Sequence, residues 1–554
     1  MTARPTLRVY QREAIEAVIA ARRDGCARMV VCLPTGAGKT VIFSELARMA
    51  RRPVMVLAHR EELLSQAADK LQRAVGADKR VTIEQGERRA DPQAEIVICS
   101  IRSLHERRLR RLVRERSFGL ILYDECHHAV AEDNQRVLQQ LGCFDAGWSG
   151  TLVGFTATTN RADGLGLDAV FDRIVFQRDL AYMLEDGWLV PLRGYRIRTE
   201  ADLRELTGRG DFNEQALEEA IDIQQRNALV ARSIQELARD RRTVVFCVTV
   251  QHARNLSKAL NQVGVPTGLV HGQMAPERRK AELAMFRSGA TVALTNVGVL
   301  TEGFDDPGVS CIAMARPTRS EGLYMQCVGR GTRLHPGKSD CLVLDFVDLS
   351  DLSLVTLPSL LGMPMELDLA GGSASEALQQ WREIIDEVPD LELEPRSITL
   401  QEIRSRADAF DPLSREVDPS IRAISQLAWN SLGPRGVSLH LLNRRGGLME
   451  VLIVRDGRGR KPWMVRFDGA EQACFSRLED AVTATEHELE SRDPALHASG
   501  LSQAPWRALP AEGELAELAA QANRGRAVQT LSEAFAALTY AEQLRARLKL
   551  RGDL

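Results

Sequence analysis

The sequence lacks the cysteine spacing of a metal site. It has ten cysteines in 554 residues, but no two of them show the C-x-x-C spacing of zinc or redox centres. Several lie in apolar runs, such as residues 30–33 and 96–99, where a reduced cysteine behaves as a small apolar side chain. We therefore expect buried, reduced thiols and no zinc site.

Long apolar runs and a surplus of positive charge are also missing. No stretch approaches the roughly eighteen uninterrupted apolar residues that cross a membrane, and the first residues lack the apolar core of a secretory signal. Lys and Arg number 72 against 75 Asp and Glu, a net charge of -3. Bulk positive charge therefore cannot hold a nucleic acid or a membrane. We expect a soluble, cytoplasmic protein with no membrane partner, which meets any polyanion through local patches.

Two segments repeat the same alternation of strand and helix patterns. From residue 28 to about 195, short β-branched runs alternate with helical patterns, which is typical of a parallel sheet covered by helices. The alternation starts again at residue 244 and continues to about 345. We predict an α/β fold with two tandem parallel-sheet domains, residues 1–193 and 194–355.

The C-terminal part has a different character. Residues 371–411 hold ten acidic and four basic residues, a net charge of -6, whereas residues 421–470 hold nine basic and three acidic residues, a net charge of +6. Two alternating runs, 448–454 and 463–467, predict a β-hairpin. We predict an acidic connector over 356–420 and an accessory α+β domain over 421–554.

Two basic segments each allow two interpretations. The C-terminal one, which includes Arg444, Arg455 and Trp463, is either a surface that binds nucleic acid or a partner, or a solvated hairpin whose Trp belongs to the core. The other, residues 102–116, has apolar residues at Leu104, Leu109, Leu112 and Val113. That spacing favours an ordinary amphipathic helix with a charged face.

A glycine-rich loop follows the first predicted strand and precedes a predicted helix. Residues 34–40 read Pro-Thr-Gly-Ala-Gly-Lys-Thr. Backbone N–H groups at a helix N-terminus form an anion site, and Lys39 adds a positive charge for the phosphates. The hydroxyl of Thr40 suits Mg²⁺. We predict a nucleotide site formed by Thr35, Gly36, Ala37, Gly38, Lys39 and Thr40.

Charged pairs in each domain suggest hydrolysis of that nucleotide. Asp124 and Glu125 end an apolar strand; we predict that Asp124 holds Mg²⁺ and that Glu125 deprotonates the water that attacks the γ-phosphate. In the second domain Arg330 and Arg333 are three residues apart, and we predict that they share one helical face. A cation that reaches the γ-phosphate only on domain closure couples hydrolysis to domain motion.

Together these motifs resemble those of superfamily 2 helicases, in order from residue 5 to about 348. The pattern further resembles the branch with type III restriction motors, XPB and RadD, and most closely RadD-like DNA repair helicases. The matching segments are the Q-type motif (7–11), Ia (58–63), Ib (99–101), II in its DECH form (124–127), III (156–158), IV (245–247), V and Va (295–305) and VI (326–333).

The resemblance implies two RecA-like domains and an enzyme that uses ATP and Mg²⁺ to move on DNA, whether single-stranded, duplex or branched. A single-stranded-DNA-binding protein is an implied partner. The implied roles are base contact for Arg8 and Gln11, nucleotide contact for Gly303 and Asp305, phosphate contact for Gln326, Arg330 and Arg333, nucleic-acid contact for Arg60, Ser100, Thr249 and Thr295, and coupling for His127, Thr156 and Thr158.

Three functions remain open on the sequence. The first is an ATP-dependent DNA helicase or translocase in repair or recombination. The second is the motor subunit of a restriction or defence system that works with a separate nuclease. The third is a scaffold that uses the nucleotide only to hold a shape, although the presence of Glu125 and Arg333 argues against it.

Overall fold

The chain forms two compact units. The computed structural model describes residues 6–551 except 59–63, 77, 158–165, 205, 207–210, 302–303, 351–352, 389–390, 392, 394–396 and 456–460. The first unit comprises Met1–Trp381 and Pro395–Leu400, and the second comprises Arg382–Glu394 and Gln401–Leu554. The predicted connector over 356–420 is therefore divided between the two units.

The first α/β domain contains a seven-stranded, wholly parallel sheet in the order β3-β4-β2-β5-β6-β1-β7. Strands β2, β4 and β6 are buried at every residue because helices cover both faces of the sheet, which explains their continuous apolar runs. The elements are β1 (Arg28–Cys32), β2 (Val54–Ala58), β3 (Val81–Glu84), β4 (Ile96–Ser100), β5 (Leu120–Asp124), β6 (Thr151–Thr156), β7 (Arg173–Gln177), α1 (Val9–Arg23), α2 (Lys39–Met49), α3 (Leu64–Val75), α4 (Glu106–Glu115), α5 (Glu132–Gln140) and α6 (Leu180–Glu185).

Helix α4 confirms the amphipathic interpretation of the first basic segment. Leu109 and Leu112 are buried, whereas Val113 is 42% exposed and does not belong to the apolar face. Arg108 and Arg111 turn inward to the fully buried Glu84, at 3.1 Å and 2.7 Å. Two of the arginines in this run therefore neutralise a buried carboxylate.

The second α/β domain contains a six-stranded parallel sheet in the order β10-β11-β9-β12-β13-β8. Because its first strand begins at Leu192, the predicted boundary at residue 193 falls just inside that strand. The elements are β8 (Leu192–Asp202), β9 (Thr243–Phe246), β10 (Thr267–His271), β11 (Ala293–Val297), β12 (Cys311–Met314), β13 (Cys341–Leu349), α7 (Glu214–Ile221), α8 (Gln224–Leu237), α9 (Val250–Gln262), α10 (Pro276–Ser288), α11 (Glu321–Val328) and α12 (Leu357–Leu360). Two parallel-sheet domains are therefore confirmed.

Short elements follow the second sheet. Strands β14 and β15 form a two-stranded parallel pair within the first unit. The two helices next to this pair each cross a boundary of the units. The elements are β14 (Leu367–Asp368), α13 (Ala374–Glu387), β15 (Ile398–Thr399) and α14 (Leu400–Ala409).

The second unit is built on a five-stranded antiparallel sheet in chain order, which confirms the α+β prediction. The predicted hairpin is present as β18 and β19. Trp463 on β19 packs against the apolar core of this unit, as the core interpretation of this Trp required. The elements are β16 (Asn430–Ser431), β17 (Gly436–Leu442), β18 (Leu448–Arg455), β19 (Trp463–Phe467), β20 (Ala470–Phe475), α15 (Pro419–Ile424), α16 (Leu478–Arg492), α17 (Pro494–Gly500), α18 (Gly513–Ala522) and α19 (Leu531–Arg551).

The structure also describes the state of the cysteines and the length and polarity of the helices. All ten cysteines are free thiols, of which eight are buried, Cys26 is half-buried and Cys474 is exposed. Every helix in the described part of the chain is too short or too polar to cross a membrane. In the same residues, no group of three or more His, Cys, Asp or Glu side chains is placed to hold a metal ion.

Candidate active site

The glycine-rich loop joins β1 to α2 at the carboxyl edge of the first sheet. Gly36 and Gly38 have φ of +93° and +78°, values that favour glycine, and Gly38 is the N-cap of α2. The hydroxyl oxygen of Thr35 is buried and makes no hydrogen bond within the described structure. A loop that combines these turns with a helix N-terminus and an unsatisfied hydroxyl fits a chain of phosphates.

Lys39 and Glu125, which come from separate motifs, meet at this loop. Lys39 is buried as the first residue of α2; its Nζ donates to the carbonyl oxygen of Leu33 at 3.3 Å and lies 3.5 Å from Glu125 Oε1. Thr40 follows as the second residue of the helix and is half-buried. The structure thus places a cation for phosphates beside the carboxylate predicted to activate water.

The carboxylate pair at the end of β5 is held in an uncommon backbone shape. Asp124 is the last residue of the strand, and Glu125 has a φ of +51°, which costs free energy in a residue other than glycine. The N–H of Glu125 donates to Asp124 Oδ1 at 3.2 Å. This turn directs the Glu125 side chain towards Lys39. Asp124 Oδ1 and the Thr40 hydroxyl are oxygen donors of the kind that Mg²⁺ prefers.

His127 connects the second and third motifs. Its Nδ1 lies 3.5 Å from Glu125 Oε2 and 3.3 Å from the hydroxyl of Thr156, which is the last residue of β6. Of the predicted coupling residues, His127 therefore contacts the carboxylate, and Thr156 contacts His127. Thr158 lies outside the described residues.

The Q-type motif contacts the loop from α1. Gln11 is buried, and its Nε2 lies so near the loop that a Cβ on Gly38 would be only 2.8 Å away. The hydroxyl of Tyr10 donates to the carbonyl oxygen of Ala37 at 2.6 Å. Burial raises the pKa of Tyr10, although Arg8 opposes this shift. The side chains of Tyr10 and Gln11 therefore contact the loop on the side where the Q-type motif is predicted to bind the base.

Trp188 completes this side of the site. Its ring packs edge-on against Tyr10 with centroids 5.3 Å apart, and the guanidinium carbon of Arg8 lies 5.6 Å from the ring centre. Arg8 Nη1 also donates to the Trp188 carbonyl oxygen at 3.1 Å. Trp188 lies in the segment that joins the two sheets, so that segment contacts the predicted base-binding residues directly.

The sixth motif corrects one prediction. Helix α11 contains Gln326, which is buried, but the helix ends at Val328, so Arg330 and Arg333 do not share a helical face. The two glycines that follow leave no room for a side chain: a Cβ on Gly329 would collide with Thr35, and one on Gly331 would collide with Cys341.

The side chains of Arg330 and Arg333 are nevertheless close together, because both bind backbone carbonyl oxygens of the fifth motif. Both donate to the carbonyl oxygen of Phe304, at 2.9 Å and 3.0 Å, and Arg330 also donates to that of Thr301 at 2.6 Å. Burial lowers the pKa of Arg333, although the carboxylate of Asp305 counteracts this. The two guanidinium groups are thus fixed together beside the fifth motif.

Asp305 links the two α/β domains. Its carboxylate lies 2.5 Å from Lys70 Nζ on α3 and 3.6 Å from Arg333 Nη1. Burial would raise the pKa of Asp305, but the hydrogen bond from Lys70 and the nearby arginines keep it below its ordinary value. Gly303, the other predicted residue of this motif, lies outside the described residues.

The predicted nucleic-acid residues show no free hydroxyl at the surface. Ser100 is fully buried at the end of β4 and Thr295 in the middle of β11, where it donates to the carbonyl oxygen of Gly268 at 3.3 Å. Thr249 caps α9 and donates to Glu218. Arg60 lies outside the described residues. Their contact with nucleic acid stays a prediction, and for Ser100 and Thr295 it would require the backbone.

Three residues of the site were missed by the sequence predictions. Tyr10 lies within the Q-type segment and Thr332 between the two arginines, so their positions inside motifs were the available signal. Trp188 had no signal beyond its type. Thr332 is fully buried, and its hydroxyl donates to the carbonyl oxygen of Thr35 at 3.2 Å.

Two ranges of the chain match known families. Residues 4–161 match the family described as type III restriction enzyme, res subunit. Residues 216–335 match the helicase conserved C-terminal domain. The first range holds Lys39 and Glu125, and the second holds Arg330 and Arg333.

The chain also has relatives that extend across both domains. It is 31% identical over 441 residues to irc3 of Schizosaccharomyces pombe, a protein named as a mitochondrial ATP-dependent helicase; this covers 77% of the chain and 71% of that protein. The chain belongs to the irc3 family of ATP-dependent helicases. The superfamily 2 prediction is confirmed, while the DECH class and the RadD-like assignment stay predictions.

Other relatives of this irc3-family chain are matched over less of their length. IRC3 of Saccharomyces cerevisiae is 33% identical over 376 residues, which cover 65% of the chain and 54% of that protein. The type I restriction enzyme EcoAI endonuclease subunit of Escherichia coli is 26% identical over 382 residues, which cover 62% of the chain and 46% of that protein. The chain therefore spans about half the length of these two relatives.

Proposed function

We propose that this irc3-family protein is a DNA translocase or helicase of DNA repair or recombination, whose ATP hydrolysis is stimulated by nucleic acid. The observation that carries the proposal is the meeting of Lys39 with Glu125 at 3.5 Å, on a loop that also touches the sixth motif through Thr332. Phosphate binding, water activation and the second domain thereby share one site.

Each group has a defined task in this proposal. Gln11 and Arg8 contact the base, and Lys39 with the N-terminus of α2 holds the phosphates. Glu125 accepts the proton of the attacking water as the water oxygen bonds to the γ-phosphorus and the bond from that phosphorus to the β,γ-bridging oxygen breaks, which releases ADP. Thr40 and Asp124 would hold Mg²⁺, which would supply positive charge to the phosphate oxygens.

Movement on DNA follows from the placement of the site between two domains. Arg330 and Arg333 belong to the second domain, so their distance from the γ-phosphate changes when the domains open or close. Arg60 belongs to the first α/β domain and Thr249 to the second. The distance between their contacts to the phosphodiester backbone would therefore increase when the domains open and decrease when they close. Such contacts are independent of base sequence and weaken with salt.

The test is the ATPase rate of the purified full chain with single-stranded, duplex and forked DNA and with RNA, at low and moderate salt. We expect stimulation by DNA that is strongest with forked or single-stranded strands and that is lost in Lys39→Ala. Stimulation by RNA alone would overturn the DNA assignment. Hydrolysis that no nucleic acid changes would overturn the motor.

A second candidate is the motor subunit of a restriction or defence system, acting with a separate nuclease. It is favoured by the match of residues 4–161 to a restriction subunit family. A nuclease or methyltransferase that co-purifies with the chain and cuts DNA only with ATP would support this candidate. The repair function instead predicts a single-stranded-DNA-binding protein as partner and a reducing, cytoplasmic compartment.

A further inference from the structure

The second unit contains a cavity of about 380 Å³. This volume is within the range of about 300–1,000 Å³ that is typical of sites for small organic ligands. The cavity lies between the segment around Arg415, helix α15 and the first strand of the antiparallel sheet. All of its lining residues belong to the second unit, whereas the ATP-site residues belong to the first.

Among the described residues that line the cavity, the two charged side chains are both positive. Arg415 and Arg422 contribute guanidinium groups, and no Asp or Glu is among the described residues that line it. The guanidinium carbon of Arg415 lies 5.0 Å from the centre of the Phe410 ring, a contact that steadies this side chain. Glu416, outside the lining, is 3.6 Å from Arg422, but the Arg422 side chain is 56% exposed, so this ion pair is weak.

Uncharged donors add to this positive lining. Asn430 also lines the cavity; its Nδ2 is buried and has no hydrogen-bond partner within the described structure. Ser425 Oγ accepts from the Leu427 N–H at 3.2 Å and from Trp429 Nε1 at 3.0 Å. Both of its lone pairs are then used, so its hydroxyl proton remains to donate.

Apolar side chains line other parts of the wall, among them Leu413, Val417, Ile421 and Trp429, together with the polar Gln426, Ser431 and Ser502. The donors suit an anion with several oxygen acceptors, because guanidinium groups and N–H or O–H groups bind phosphate well. The volume and the apolar wall leave room for an organic body attached to that anion.

We propose that this cavity binds a phosphate-bearing ligand of nucleotide size. A free nucleoside monophosphate and the 5′-phosphorylated end of a nucleic-acid strand present the same chemistry. The strand end, as a source, rests on the proposed function in DNA metabolism. In that case the second unit distinguishes phosphorylated strand ends from hydroxyl ends.

The test uses calorimetric titration of the full chain carrying Lys39→Ala, which weakens nucleotide binding at the first unit. The ligands are thymidine 5′-monophosphate, thymidine, and a short oligothymidylate with a 5′-phosphate or a 5′-hydroxyl. Arg415→Ala and Arg422→Ala are compared with Arg477→Ala. The control Arg477 is 68% exposed, pairs with Glu479 and does not line the cavity.

We expect the monophosphate to bind at least tenfold more tightly than thymidine. Arg415→Ala should weaken that binding at least tenfold and Arg422→Ala about threefold, while Arg477→Ala leaves it unchanged. Tighter binding of the 5′-phosphorylated strand than of the 5′-hydroxyl strand identifies the strand end as the source. Equal binding of the two strands, with the monophosphate bound, identifies the free nucleotide.

The proposal is overturned if neither phosphorylated ligand binds, or if thymidine binds equally well. It is also overturned if Arg415→Ala and Arg422→Ala, with unchanged thermal melting, bind like the control. The wild-type chain is assayed in parallel for DNA-stimulated ATP hydrolysis. DNA-stimulated hydrolysis without binding of the phosphorylated ligands would overturn only the cavity proposal. Binding of these ligands without DNA-stimulated hydrolysis would overturn only the proposed motor function.

Discussion

Gly36 and Thr332 approach each other so closely that a Cβ on Gly36 would lie 2.5 Å from the Thr332 hydroxyl oxygen. One residue belongs to the phosphate loop and the other to the sixth motif, so the two domains touch at the site of hydrolysis. The Thr332 hydroxyl lies 3.2 Å from the Thr35 carbonyl oxygen and 3.1 Å from that of Gly329, so its one proton is shared between the loop and the sixth motif.

We predict that Thr332→Val lowers the kcat of ATP hydrolysis three- to tenfold and leaves the KM for ATP unchanged. Valine keeps the size of the side chain but cannot donate, and the loss of one hydrogen bond costs about 0.5–1.5 kcal/mol. Steady-state kinetics measure both constants. Thr332→Ser is the control and should retain the wild-type kcat; an equal loss in both variants would contradict a role of the hydroxyl.

Glu125→Gln should lower kcat at least a hundredfold while ATP still binds. The amide keeps the shape near Lys39 and His127 but cannot accept a proton from water, and general-base catalysis contributes about 10²–10⁴ in rate. A fluorescent ATP analogue measures binding and phosphate release measures the rate. Glu132→Gln, an 89% exposed position on α5, serves as the control. A rate within tenfold of wild type would show that another group activates the water.

Arg226→Met should destabilise the second domain by about 3–5 kcal/mol. Arg226 and Asp348 form a two-pronged ion pair at 2.7 Å and 2.9 Å with exposures of 1% and 0%, so the variant leaves a carboxylate buried without its partner. Thermal melting measures the loss. Arg136→Met, at a 70% exposed ion pair on α5, should cost less than about 1 kcal/mol. Equal melting temperatures for Arg226→Met and Arg136→Met would contradict the predicted difference in stability.

Asp345→Asn should change the pH dependence of stability. Burial raises the pKa of Asp345 to about 6, although hydrogen bonds from Leu357 and Tyr324 oppose the shift. The folded state therefore keeps a proton that the unfolded chain has lost between about pH 4 and 6, and raising the pH through this window destabilises the fold. Above pH 6 the full cost is present.

Asparagine cannot ionise. The free energy of unfolding of the variant, relative to that of the wild type, should therefore rise by up to about 3 kcal/mol as the pH increases from 4 to 7. Denaturant unfolding at several pH values measures this difference in the free energy of unfolding. A difference between variant and wild type that stays constant from pH 4 to 7 would show that Asp345 ionises normally.

The parts of the fold that were predictable are those with local signals. The strand, loop and helix around Lys39 follow from an apolar run, glycines and a helical pattern that are contiguous in sequence. The C-terminal hairpin follows from two alternating runs. By contrast the edge strand β7 has no clear strand pattern in the sequence, because it buries only Phe176 and carries polar residues such as Arg173.

The site shows the same limit. Lys39 and Glu125 were predicted by their motifs, but the contact of Tyr10 with Trp188 joins residues 178 positions apart and leaves no local pattern. Arg330 and Arg333 were predicted to share a helical face because a spacing of three residues is typical of a helix. The requirement for glycine at Gly329 could not be predicted, because it comes from Thr35 in the other domain. The burial of Ser100 is likewise set by neighbouring strands.

The strand order of the first sheet has a consequence for synthesis on the ribosome. Strand β1, which carries the phosphate loop, lies between β6 and β7, and these end at Thr156 and Gln177. The loop thus leaves the exit tunnel before both neighbours of its strand, which follow more than a hundred residues later. A nascent chain that stops before Thr151 leaves the backbone N–H and C=O groups on both edges of β1 unpaired and cannot complete the nucleotide site.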